Sequence, residues 1–143
     1  ASGLKIDVRY RDMNGAPLDP RSVAVSTDFY AVVTVTNTSG YERYADLALT
    51  HIVPAGWEIT SERDLSTVTY QDIRDDRAYS YIDHLPAGRQ VTVKINLCAV
   101  YPGRFYLPPV YIEAMYDHLM RANTEGKMVT VEYRPSSPLP SMA

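Results

Sequence analysis

Period-two alternation dominates this chain. From Leu4 to Arg11, the apolar Leu4, Ile6, Val8 and Tyr10 alternate with Lys5, Asp7, Arg9 and Arg11. Successive side chains of a strand point to opposite faces, so the pattern predicts a strand with one buried side. Asn14-Gly15 then signals a turn, because both residue types accept positive φ. Asp28 to Asn37 is rich in β-branched residues and predicts a second strand. Ala45 to Val53 predicts a third, with Leu47 and Leu49 on one face, and Pro54-Ala55-Gly56 ends it.

Further along, Thr67 to Ile73 and Ala78 to Leu85 read as strands, separated by the charged corner Arg74-Asp75-Asp76-Arg77. Gln90 to Val100 alternates most regularly: Val91, Val93, Ile95 and Leu97 against Thr92, Lys94 and Asn96. Phe105 to Leu107 is followed by Pro108-Pro109, which donates no backbone hydrogen bonds and marks an edge, a bulge or a crossing. Val110 to Tyr116 reads as a strand, Asp117 to Glu125 as one helical turn or a loop, and Lys127 to Tyr133 as the last strand. The expectation is an all-β, antiparallel β-sandwich of seven to eight strands with at most one short helix. It fills one domain over residues 1–134, and the Pro- and Ser-rich residues 135–143 read as a disordered tail.

Composition changes that picture little. The chain has 143 residues, a common length for one domain, and 45% are hydrophobic. No apolar run approaches the roughly 20 residues that span a bilayer, and no secretory leader is visible, so any targeting segment is expected upstream. Fourteen basic against 17 acidic residues give a net charge of −3, which disfavours a nucleic-acid partner. The single cysteine, Cys98, reads as a buried small hydrophobe. Twelve tyrosines against two phenylalanines suit strands whose outer faces are half covered.

Candidate chemistry is sparse. His51, His84 and His118 have no zinc-motif spacing and each sits near a different strand end; His51 and His84 read as strand residues with one ring nitrogen satisfied. The acids from Asp72 to Asp76 lack calcium-loop spacing and are interleaved with Arg74 and Arg77, so an ion-paired corner is expected there. There is no Gly-x-Ser-x-Gly elbow and no glycine-rich phosphate cradle. No catalytic residue, metal site or cofactor is therefore assigned, and an enzyme is not expected. Glu113-Ala114-Met115-Tyr116 stands out after the double proline. If the strand runs through, Glu113 and Met115 share one face and Ala114 and Tyr116 the other.

Several of these segments together resemble a known family. They are Val53-Pro54-Ala55-Gly56-Trp57, Arg74-Asp75-Asp76-Arg77, Tyr101-Pro102-Gly103-Arg104-Phe105, and Leu107-Pro108-Pro109-Val110-Tyr111-Ile112-Glu113-Ala114-Met115-Tyr116. In order and spacing they resemble the C-terminal macroglobulin-like domain of bacterial α2-macroglobulins, counterpart of the receptor-binding domain of the animal proteins. The resemblance runs from about Leu4 to Val131. It implies a place in a multidomain, cell-envelope or periplasmic protease trap with an upstream lipoprotein anchor. A separate thioester domain captures the protease, and this domain docks on it. The resemblance makes Tyr116, with Met115 and Glu113, the contact that shields the thioester. The partners implied are that thioester domain and, through the full-length protein, target proteases; membrane contact by this domain is not implied. Cys98 is not followed by the Cys-x-x-Gln pattern of a thioester, which would lie elsewhere in such a protein. Where a family member lacks the reactive cysteine, Tyr116 would serve packing and trapping would be non-covalent. The other reading is an extracellular β-sandwich repeat of an adhesin or surface protein.

Overall fold

The computed structural model describes residues 3–60, 68 and 70–133. Thr67, Thr69 and the tail 135–143 lie outside the described residues. Among those described there are twelve strands and no helix. They are β1 (Leu4–Asp12), β2 (Ser22–Ala24), β3 (Asp28–Asn37), β4 (Tyr44–Ile52), β5 (Trp57–Ile59) and β6 (Tyr70–Ile73). Then come β7 (Arg77–Leu85), β8 (Gln90–Ala99), β9 (Gly103–Leu107), β10 (Tyr111–Ala114), β11 (Asp117–Asn123) and β12 (Lys127–Glu132).

The all-β sandwich is as expected, but strands outnumber the seven to eight anticipated. β2 and β5 have three residues each, too few to show a period. Pro108-Pro109 is a crossing: β9 lies in one sheet and β10 in another. The polar stretch expected as a helical turn or loop is instead β11, which is held by pairing with β10. Its partner, not its composition, decides its state.

Strand order is β1-β3-β8-β5 in a four-stranded sheet, β11-β10-β4-β7-β6 in a five-stranded sheet, and β2-β12-β9 in a three-stranded one. Every pair is antiparallel except β2 with β12. The alternating positions meet in one core: Phe29, Val33 and Val35 of β3 and Val93, Ile95 and Leu97 of β8 join Leu47, Leu49, Ile82 and Ile112 of the five-stranded sheet. Burying each such side chain contributes roughly 1.5–3 kcal/mol. Trp57 is the largest fully buried side chain. Phe29 and Tyr10 meet its ring edge-on, at centroid distances of 5.0 and 5.7 Å.

Three of the sequence segments singled out above converge at one end of the sandwich. The carbonyl of Gly56 accepts from the N–H groups of Val100 and Tyr101 at 2.8 and 3.1 Å. A Cβ on Gly56 would lie 2.4 Å from the Phe105 ring, so only glycine fits there. The charged corner closes the same end: the Asp76 carbonyl accepts from Val53 N–H and the Asp75 carbonyl from Ile59 N–H, both at 2.9 Å. Its side chains are ion-paired as anticipated, with Arg77 to Asp76 at 3.0 Å and Arg74 to Asp72 at 3.4 Å. These segments therefore secure packing of the Trp57 turn.

Cys98 is a correction. It is half-buried on the outer face of β8, opposite Asp28 and Glu58. The same alternation that buries Leu97 and Ala99 turns Cys98 outward. Partial burial, Asp28 and Glu58 push its thiol pKa up. His51 is another correction. It is buried, and neither ring nitrogen has a hydrogen-bond partner among the described residues. Burial holds it neutral, with a pKa of about 4. His84 is exposed, with Nε2 3.4 Å from Asp83.

Candidate functional site

The outer face of the five-stranded sheet is tyrosine-rich, and strand register explains how. Tyr111 of β10 stands opposite Thr50 of β4, which stands opposite Tyr79 of β7, which stands opposite Asp72 of β6. The next row runs Arg121, Glu113, Ala48, Tyr81, Tyr70. Directly opposed residues share a face, so four tyrosines flank the small Ala48 and Thr50 on one surface. Tyr70, Tyr79 and Tyr111 are exposed, whereas the intervening inward residues Leu49, Ile112, Gln71 and Ser80 are buried. The buried Gln71 Nε2 donates to Ser80 Oγ at 3.0 Å on that inner side.

Met115 and Tyr116 form the turn between β10 and β11. Ala114 pairs with Asp117, which leaves just these two residues at the tip. Neither has a positive φ, and a register shift between Glu113 and Ala114 accommodates the turn. The strand therefore stops at Ala114, and the face-sharing expected for a continuous strand to Tyr116 is corrected: Ala114 is buried, while the tip residues leave the pleat. Tyr116 is 82% exposed and Met115 is 49% exposed. Glu113 sits half-buried on the outer face, between Ala48 and Arg121. All three predicted residues thus lie within four positions at one edge of the tyrosine face.

A hollow of about 380 Å³ opens behind the tip, walled by Met115, Ala48, Tyr70, Tyr79 and Tyr81. Two polar contacts brace it. Arg77 Nη1 donates to the Tyr79 hydroxyl at 3.3 Å, and the Tyr81 hydroxyl donates to Asp46 Oδ1. The Asp46 carboxylate, followed by burial, pushes the Tyr81 pKa up to about 12; Asp83 and Tyr116 add smaller effects. The walls are aromatic and aliphatic, suited to covering an apolar surface while the hydroxyls keep polar partners. Among the described residues, no group of three or more His, Cys, Asp or Glu is placed to hold a metal.

Sequence reasoning missed Tyr70, Tyr79, Tyr81 and Asp46 as members of this face. Tyrosine abundance pointed to half-covered sheets but not to which strands are neighbours. Asp46 carried its own signal: aspartate is depleted in strands and tolerates left-handed backbone. A larger cavity, about 720 Å³, lies elsewhere, over Val8, Tyr10, Leu18 and Leu107 with Asp19 and Arg21 at its rim. It contains none of the predicted residues.

The fold is an all-β sandwich whose five-stranded sheet carries an exposed aromatic edge. Comparison with known proteins narrows this. The family model for the bacterial alpha-2-macroglobulin MG10 domain matches residues 3–118, and the chain belongs to that family. An alpha-2-macroglobulin of Pasteurella multocida is 32% identical over 130 residues, 85% of this chain and 6% of the relative. The crystal structure of Salmonella alpha-2-macroglobulin reacted with methylamine superposes with a TM-score of 0.79 at 23% identity, covering 92% of this chain and 9% of that one. Native Escherichia coli alpha-2-macroglobulin, spanning domain MG7 to the C-terminus, gives 0.79 at 18% identity, covering 91% and 23%. The two structures establish likeness of fold. The chain spans less than a tenth of the length of the curated relatives it matches.

Proposed function

We propose that this domain serves a periplasmic or cell-envelope protease inhibitor by docking on a thioester-bearing domain of the same polypeptide. Tyr116 and Met115 cover the thioester, with Glu113 at the edge of the contact. The observation that supports this reading most is a large aromatic ring, 82% exposed, on a two-residue turn. Burying such a ring on a neighbour removes apolar area from water, and so favours contact. A covered acyl bond meets fewer waters and amines. Release of the domain would then expose the electrophile, a shift between closed and open populations. The Salmonella relative was crystallised after reaction with methylamine, a small amine able to reach such a bond. Membership of an alpha-2-macroglobulin family supports the inhibitor role; attachment through an upstream lipid anchor belongs to the same proposal.

The test is Tyr116→Ala in the full-length polypeptide. Inactivation by methylamine should speed up by about tenfold, equivalent to about 1.4 kcal/mol of lost protection. Unchanged kinetics, with normal folding, would remove the shielding role.

A further inference from the structure

Asp46 takes an unusual backbone conformation for a strand residue. It lies within β4, between the pairs Ala45 with His84 and Leu47 with Ile82. Its φ is +56°, a left-handed conformation that non-glycine residues rarely take. It is half-exposed, so core packing does not force the conformation. Such strain persists where surrounding contacts over-determine it, and it clusters where a site must be held in shape.

The contacts are specific. The last β10–β4 pair is Ala114 with Leu47, and the Asp46 carbonyl, one residue further, accepts from the Met115 N–H at 2.9 Å. That bond fixes the first residue of the tip. The Asp46 carboxylate accepts from the Tyr81 hydroxyl on the neighbouring strand β7. One residue thereby ties the tip to β4 and to the aromatic wall of the hollow that Met115 also lines. We propose that Asp46, acting with Tyr81, is the positioning residue that presents the Met115–Tyr116 tip for docking. This rests on the docking function proposed above. Asp46 touches no partner itself; it acts through the turn. Asparagine is the conservative replacement, since it tolerates the same backbone and keeps an acceptor oxygen. Glycine keeps only the backbone, and Tyr81→Phe removes only the donor.

Two measurements on Asp46→Asn, Asp46→Gly and Tyr81→Phe test the proposal. The first is hydrogen exchange of the Met115 amide in this chain. The second is oxidation of Tyr116 by hydroxyl radicals in the full-length polypeptide. Asp46→Gly and Tyr81→Phe should each speed Met115 exchange by about tenfold and raise Tyr116 oxidation toward that of the isolated chain. Asp46→Asn should behave as the wild type in both, a rescue that general loosening would not give. Wild-type values in both Asp46→Gly and Tyr81→Phe would overturn the proposal, as would an Asp46→Asn variant no better than Asp46→Gly. If Tyr116 is equally oxidised in the wild-type full-length and isolated proteins, it is the docking function that fails. Met115 exchange then still decides whether Asp46 holds the tip.

Discussion

The two large sheets share one core but turn very different faces outward. On the four-stranded sheet the outward rows read Asp7, Thr34, Thr92, then Arg9, Val32, Lys94, then Arg11, Tyr30, Asn96, with a single tyrosine among them. Charges there find local partners: Arg9 pairs with Asp7 at 3.0 Å, and the Lys94 ammonium lies 4.3 Å over the Tyr30 ring. On the five-stranded sheet the corresponding rows are Tyr111, Thr50, Tyr79 and Glu113, Ala48, Tyr81, Tyr70. The first face satisfies itself in water. The second leaves broad aromatic surface around a hollow, with an exposed tyrosine at its rim. Interfaces favour tyrosine and disfavour lysine, so the contrast supports a covered second face and a wet first one.

Substitutions sharpen that comparison. The largest effect belongs to the inner side of the tyrosine-bearing sheet. Leu49→Ala should cost about 2–5 kcal/mol in urea unfolding, because it opens a cavity where Leu49 is 2% exposed. Tyr79→Ala, on the outward side of the neighbouring strand, should cost much less; equal losses would mean that the aromatic face is part of the core.

The next effect is set by pH, again from the inner side of β4. His51 has a pKa of about 4 in the fold against an ordinary 6.5. Between these values the unfolded chain binds more protons, so stability is complete above about pH 6.5 and falls as pH drops towards 4. The loss is about 3 kcal/mol over that window, at roughly 1.4 kcal/mol per pH unit. His51→Leu should remove this part of the slope in urea midpoints measured from pH 7.5 to 4. A slope unchanged from the wild type would show that His51 does not sense acid. The smallest effect is on the solvated face. Lys94→Ala should lose about 0.5–1 kcal/mol, the size of an exposed cation–π contact, and should leave docking untouched. An effect on docking would move the interface to the wrong sheet.

Strands with one face in the core were legible in the sequence. Leu4 to Arg11, Asp28 to Asn37 and Gln90 to Val100 carry a two-residue period because burial selects every second side chain, and they became β1, β3 and β8. β2, β5 and β11 were not legible, since two are shorter than the pattern and the third is held by its partner. Met115 and Tyr116 stood out in the chain, but their place in a turn depended on the register of β10 against β11, which is non-local. Tyr70, Tyr79, Tyr81 and Tyr111 come from three strands scattered along the chain, and only sheet order makes them neighbours. Asn37 shows the converse: the sequence placed it as the last residue of the second strand, while its role needed the structure. It is fully buried and donates from Nδ2 to the carbonyls of Glu42 and Leu85 at 2.7 and 2.9 Å.

The central claim is that another domain of the same polypeptide covers the tyrosine face. Hydroxyl-radical footprinting of the full-length polypeptide, set against this chain alone, tests it most directly. Oxidation of Tyr79, Tyr111 and Tyr116 should fall several-fold in the full-length protein, while Tyr30 on the opposite sheet reacts alike in both. Equal labelling of Tyr116 in the two forms would contradict the account.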